Sequence, residues 1–222
     1  MKIMNLFKTV SLMTLFAVSG ASQALVITIF DGATSVSVSD GGVGDLSGAT
    51  GKVIADNTLG GWSYSVTAES TSGTLFANLW ETTIDTSSTS GGTLTITVTD
   101  TYSGVNAGSA FASSIYNAAA VGQPEGGPAS VTVAGDSLHF ESWVNASLVL
   151  SDTITAIGGD SNVTSVAVTS PLTISQIAVI THVGGEKTSF DGNTHVKVPE
   201  PVSLALLGIG LIGLGLARKR AV

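Results

Sequence analysis

Hydrophobic and polar residues alternate one for one through most of this chain. Trp62, Tyr64, Val66 and Ala68 interleave with Ser63, Ser65, Thr67 and Glu69, and Leu94, Ile96 and Val98 interleave with Thr93, Thr95, Thr97 and Thr99. Leu138, Phe140 and Val144 take one face while His139, Glu141 and Asn145 take the other. A period of two marks a half-buried strand, because successive side chains leave a strand on opposite sides. The same reading predicts strands over Val26–Phe30, Ser35–Ser39, Leu75–Glu81, Val131–Ala134, Ala146–Leu150, Val163–Thr169, Leu172–Val183 and Thr194–Val198. Threonine and β-branched residues dominate them, as pleated surfaces favour.

Turn signals punctuate these runs: Asp40-Gly41-Gly42, Ser70-Thr71-Ser72-Gly73, Ser90-Gly91-Gly92, Gly158-Gly159-Asp160 and Gly184-Gly185. About ten short strands with polar outer faces predict an all-β fold, a single antiparallel β-sandwich. The run Ile177–Ile180 is apolar on both faces and so predicts a central strand. Residues 102–130, rich in Gly, Ala and Ser, read as a long excursion with a strand near Phe111–Tyr116; a short helix around Ala107–Ala120 is the alternative.

Both ends break the pattern. Lys2 and Lys8 precede the apolar run Val10–Val18, and Ser22-Gln23-Ala24 supplies small residues one and three places before a cut. Residues 1–24 therefore read as a secretory signal helix, with cleavage between Ala24 and Leu25 by signal peptidase after passage through the Sec machinery. At the other end Pro199-Glu200-Pro201 leads into the apolar stretch Val202 to Ala217, closed by Arg218-Lys219-Arg220. Sixteen helical residues reach roughly 24 Å, short but sufficient for a thin bilayer. The three basic residues hold that end in the cytoplasm. Two prolines around Glu200 keep the junction extended, as a processing enzyme requires. The chain divides into a signal (1–24), a sandwich domain (25–198), and a tail (199–222) with its membrane helix at 202–217.

Removing the ends changes the charge. Five of the eight basic residues lie in them, which leaves Lys52, Lys187 and Lys197 against some fifteen acids, roughly −12 net. Nucleic acid and anionic lipid surfaces are thus poor partners, and no nucleic acid is expected, since phosphate contacts would be repulsive. The chain has no Cys, so the core holds the fold without disulfides or thiolate metal sites.

The tail carries a family likeness. Val198-Pro199-Glu200-Pro201, then Leu204 to Leu211, then Gly213-Leu214-Gly215-Leu216-Ala217-Arg218-Lys219-Arg220 resembles the PEP-CTERM sorting signal, over the last 24 or so residues. The same segment is also known as an ice-binding protein C-terminal domain, a label silent about the body. The resemblance implies a Gram-negative source and a transient inner-membrane anchor. It implies cutting near Pro199-Glu200-Pro201 by an exosortase, and delivery to the cell surface or an extracellular polysaccharide matrix of the biofilm kind. The segment Gly208-Ile209-Gly210-Leu211-Ile212-Gly213 imitates a dinucleotide loop, but it lies inside the apolar stretch with no strand before it.

Candidate chemistry in the body is sparse. His139, His182 and His195 sit near strand alternations as outward or edge residues, with no hydrolase or paired-metal motif around them. Asp40-Gly41-Gly42-Val43-Gly44-Asp45 has oxygen ligands in a Gly-rich loop, yet occurs once and reads as a solvated turn. The row Thr93, Thr95, Thr97, Thr99 presents hydroxyls on one face, with no second row of equal quality in the sequence. Trp143, beside Glu141 and Asn145 on the polar side of its strand, is the candidate sugar contact; the alternative is a core residue on a strand covered on both faces. No cofactor or metal is expected. The reading is a non-catalytic structural or polysaccharide-interacting protein; the alternative is a secreted carbohydrate-active hydrolase, which needs two carboxylates about 5–10 Å apart in a cleft.

Overall fold

The computed structural model describes residues 25–124 and 132–199. The expected signal helix and membrane helix lie outside them. Among the described residues every regular element is a strand and none is a helix. In chain order they are β1 (Val26–Phe30), β2 (Ser35–Ser39), β3 (Lys52–Leu59), β4 (Trp62–Gly73), β5 (Phe76–Ser88) and β6 (Gly92–Tyr102). There follow β7 (Gly108–Pro124), β8 (Ser137–Val144), β9 (Ser147–Ile154), β10 (Gly158–Val168), β11 (Leu172–His182) and β12 (Glu186–Lys197).

Among the described residues twelve strands form two six-stranded sheets, β2-β1-β6-β11-β8-β9 in front and β10-β7-β12-β5-β4-β3 behind. Every pairing is antiparallel. The apolar members of each alternation meet between the sheets: Ile27, Leu94, Ile96, Phe140, Ile174 and Ile180 from the front, Trp62, Val66, Leu79, Ile84, Tyr116 and Phe190 from the back, all buried. Phe140 bridges the layers, stacked on Tyr116 at 5.0 Å between ring centres and edge-on to Phe190 at 6.4 Å. A polar cluster sits in the same layer. Thr194 Oγ1 lies 2.6 Å from Ser142 Oγ and 2.8 Å from Gln176 Nε2, so both sheets share one hydrogen-bonded knot.

Several expectations need correction. The excursion after residue 102 is β7, seventeen residues of continuous strand rather than a helix or a short strand. Lys52–Leu59 is an edge strand that its sequence did not announce. Gly158-Gly159-Asp160 opens β10 instead of forming a turn, because Gly159 lies against β7 where a Cβ would come within 2.1 Å of the Tyr116 carbonyl oxygen. Ser70–Gly73 likewise continues β4. Thr132–Ala134 is not a strand, and Val131 lies outside the described residues. The expectation of a central strand at Ile177–Ile180 agrees with β11, which sits between β6 and β8.

Both chain ends leave the sandwich on one side. Leu25 precedes the first residue of β1 and is fully buried, its carbonyl accepting the Asp40 N–H. Val198 follows the last residue of β12, is 7 % exposed, and donates its N–H to the Leu75 carbonyl at 2.8 Å. Strand directions place the two together: Val26 pairs with Thr99 near the end of β6, and Lys197 pairs with Phe76 at the start of β5. The β6–β7 and β4–β5 turns, at that same end, are joined by the bond from Asn106 N–H to the Thr74 carbonyl.

Candidate functional site

The outer face of the front sheet is built by the period of two. Burying Leu94, Ile96 and Val98 turns Thr93, Thr95, Thr97, Thr99 and Thr101 of β6 outward. Register then aligns outward residues of neighbouring strands into rows. One row runs Ser39, Val26, Thr99, Ser175, Trp143; the next runs Ser37, Thr28, Thr97, Ile177, Glu141; the third runs Ser35, Phe30, Thr95, Val179, His139. Hydroxyls bridge strands within and beside these rows: Thr28 to Ser37 at 2.9 Å, Thr99 to Ser175 at 3.0 Å, Thr101 to Thr173 at 3.2 Å. The further hydroxyl rows that the sequence does not show come from β2 and β11, strands distant in sequence from β6. Adjacent strands lie about 4.8 Å apart, so the face is about 24 Å wide.

Among the described residues this face carries one acid, Glu141, in a strongly acidic protein. Glu141 is occupied. Trp143 Nε1–H donates to its Oε2 at 3.0 Å and His139 Nε2 lies 3.1 Å from its Oε1. His139 Nδ1 in turn meets Thr153 Oγ1 at 2.7 Å. The Trp143 hydrogen bond, opposed by burial and aided by His139, holds the Glu141 carboxyl below its usual range. An ionised Glu141 only accepts, so it fixes the plane of the half-buried Trp143 indole from one edge. The result is an oriented aromatic ring at the margin of an uncharged field of hydroxyl and methyl groups.

The histidines divide. His139 faces outward, as expected, and so does His195, whose ring stacks on Phe76 at 6.4 Å. His182 does not: it is 2 % exposed, two residues beyond inward-facing Ile180 and therefore on the same side. Its Nδ1 lies 2.9 Å from Ser88 Oγ and its Nε2 lies 2.9 Å from Thr188 Oγ1. Because Ser88 donates its own proton to the Gly184 carbonyl at 2.7 Å, His182 donates from Nδ1 and accepts at Nε2. Burial lowers its pKa to about 4.

The Asp40–Asp45 loop spends its carboxylates on the backbone. Asp45 accepts from the N–H groups of Gly41, Ser47 and Ile54, and Asp40 accepts from Gly51. Those bonds outweigh desolvation and keep the Asp45 carboxyl low. Of the other aromatic residues, Trp62, Tyr64, Tyr102 and Tyr116 are buried.

Sequence reasoning did not find the grooves of the rear face. Trp80, Ile115, Asn117, Asp191 and Asn193 line one of about 440 Å³, beside the bulge between Phe190 and Gly192. With its amide oriented to suit its neighbours, Asn78 accepts from Trp80 Nε1 at 3.2 Å and donates to Asn193 Oδ1 at 2.9 Å. A second groove, of about 660 Å³, includes Asp56, Ser65, Asp85 and Lys187. Asp56 and Asp85 both pair with Ser65 and so stand two strands apart, about 9–10 Å between backbones. The first groove borders Gly192, where the pairing of β12 with β5 shifts register.

Of the expected processing residues, Leu25 and Val198 are built into the sandwich and Pro199 is exposed at its end. Ala24, Glu200, Pro201, Arg218, Lys219 and Arg220 lie outside the described residues.

Fold and surface together define an acidic, all-β, sandwich-like body with one broad face on which, among the described residues, the single acid is hydrogen-bonded. The tail is specific: residues 197–220 match the family described as the PEP-CTERM protein-sorting motif. That motif implies an exported, exosortase-processed chain carrying a membrane-anchored sorting signal. No curated protein matches the chain. Among solved structures, a carbohydrate-binding module of the beta-sandwich superfamily shares 13 % identity over 81 % of this chain and 85 % of its own, with a TM-score of 0.24. A carbohydrate-binding module of Cellvibrio mixtus lichenase 5A, solved in complex with cellotriose, shares 14 % identity over 71 % of this chain and 93 % of its own, with a TM-score of 0.18. At such scores the likeness adds nothing to the strand order described above.

Proposed function

We propose that the mature body is a non-catalytic surface or matrix protein that contacts extracellular polysaccharide through the outer face of the front sheet. The observation that carries this reading is the oriented Trp143 beside rows of Thr and Ser, on a face whose single acid is already hydrogen-bonded. A pyranose ring offers C–H groups on its faces and hydroxyls around its edge. An indole flank and a hydroxyl field match those two features in turn. The absence of unpaired charge fits a neutral polymer and avoids the desolvation cost that a free carboxylate would impose. The test is affinity electrophoresis of the released body in gels containing neutral β-glucan or the producer's own polymer. Retardation that Trp143→Ala reduces about tenfold, roughly 1.4 kcal/mol, supports the reading; equal retardation of both proteins refutes it.

One observation favours a second reading, a carbohydrate-active hydrolase. Asp56 and Asp85 share the larger rear groove at a separation compatible with an inverting pair. Reducing-sugar release from the same polymers, lost in both Asp56→Asn and Asp85→Asn, would select it over the non-catalytic role.

A further inference from the structure

We infer that the end of the sandwich from which the tail departs is itself a membrane-docking surface, seated in the lipid headgroup layer until the tail is cut. The inference rests on the sorting tail being a membrane anchor and is independent of polymer binding.

The first argument is reach. Val198 is fixed to the body by its bond to the Leu75 carbonyl, and the apolar stretch begins at Val202. Four residues span at most about 14 Å when fully extended. The headgroup region on each side of a bilayer is about 5–8 Å deep. Whatever surrounds Val198 is therefore held inside the headgroup layer or within about 6–9 Å of its outer edge whenever the tail is inserted.

What surrounds Val198 suits that place. Phe111, Lys197 and Phe76 stand side by side across β7, β12 and β5 in one register row. Phe111 is 57 % exposed and Phe76 is 40 % exposed. With Leu75, Val198 and Pro199, Phe111 and Lys197 line a shallow groove of about 430 Å³. Exposed aromatic rings on either side of a lysine form an interfacial anchor: the rings enter the acyl boundary while the ammonium stays among phosphates.

Charge supports the same orientation. The turns at this end are Thr74-Leu75, Ser103–Ala107, Asn145-Ala146 and Thr169–Pro171, and none contains a charged residue. The turns and strand starts at the far end carry Asp31, Asp136 and Glu186. The charged loop on the tail side, Asp40 to Asp45, lies at the β2–β3 edge, its carboxylates bound to backbone N–H groups. A body of roughly −12 net charge thus has, on the side from which the tail departs, four turns without charge and its two carboxylates at the sheet edge. Leu25 emerges there too, so both membrane connections expected of the precursor leave from one side.

The native chain has no cysteine, so single labels report cleanly. Phe111→Cys and Ser90→Cys, at opposite ends, are each labelled with bimane in the full chain. The proteins are then reconstituted into phosphatidylcholine vesicles in which part of the lipid carries bromine on its acyl chains. The label at 111 is expected to lose at least half of its emission relative to unbrominated vesicles, and the label at 90 to lose none. Equal emission from both labels in chains that float with the vesicles overturns the docking surface and leaves the anchor standing. Chains that do not float overturn both. A third label, Phe76→Cys, repeats the reading from the other flank of Lys197 and guards against a local effect of changing Phe111.

Discussion

Acid titration of His182 gives a stability change whose size follows from the structure. The ring is buried between Trp62, at 4.7 Å between ring centres, and the two hydroxyls that satisfy its nitrogens. A proton added at Nε2 would turn an acceptor into a donor facing Thr188, whose hydroxyl already accepts the Gly122 N–H at 3.1 Å. The folded-state pKa is about 4, against an ordinary 6.5, so the unfolded chain takes up the proton first. Stability from this residue is complete above about pH 6.5 and is lost as pH falls towards about 4. Between pH 8 and pH 4.5 the expected loss is about 2.5 kcal/mol. Against a total stability of order 5–15 kcal/mol this is a large share. Urea unfolding of the released body, followed by tryptophan fluorescence, measures it. With an m-value of about 2 kcal/mol/M the midpoint shifts by about 1.2 M. The control is His182→Gln, less stable at neutral pH but without the titrating ring. Carboxylates held low, such as Glu141 and Asp45, are common to both proteins and cancel in the difference. Parallel loss of stability in the two proteins over this range would refute the reasoning.

Other substitutions test the packing. Thr194→Val removes the hydroxyl shared by Ser142 and Gln176 between the sheets and is expected to cost about 2–4 kcal/mol in urea unfolding. Gly91 has φ +76° and a Cβ there would lie 2.7 Å from the His182 carbonyl oxygen. Gly91→Ala should therefore lower stability by about 2–4 kcal/mol, read as a fall in Tm. Asp45→Ala strips three backbone N–H groups of their acceptor, and limited proteolysis should cut within residues 40–51 faster than in the native protein.

What could be seen in the sequence, and what could not, follows from side-chain size and from register. The threonine face of β6 was plain because large apolar residues lie beneath it. β7 was obscure because its contrast is inverted. Ala110, Ala112 and Ala118 point into the core, while Phe111 and Ile115 point out. The core accepts alanine there because Phe140, Phe190 and Tyr116 supply the volume from neighbouring positions. β3 was missed because an edge strand that runs through exposed Asp56-Asn57-Thr58 has little to bury in its second half. His182 was misjudged as outward although counting two residues on from Ile180 puts it inside; a polar ring is tolerated there only because Ser88 and Thr188 complete it. The parity of Trp143 with Glu141 was legible, but a core position on a strand covered on both faces fitted the sequence as well. Its surroundings were not, because the rows that join it to Ser175, Thr99 and Ser39 depend on pairings between segments far apart in the chain. The tail was legible throughout, its motif being local.

Isothermal titration of the released body with the producer's purified extracellular polysaccharide, in parallel with Trp143→Ala, tests the central claim most directly. Saturable binding without release of reducing sugar, weakened about tenfold by the substitution, is the outcome predicted. Absence of binding, or binding that Trp143→Ala leaves unchanged, contradicts it.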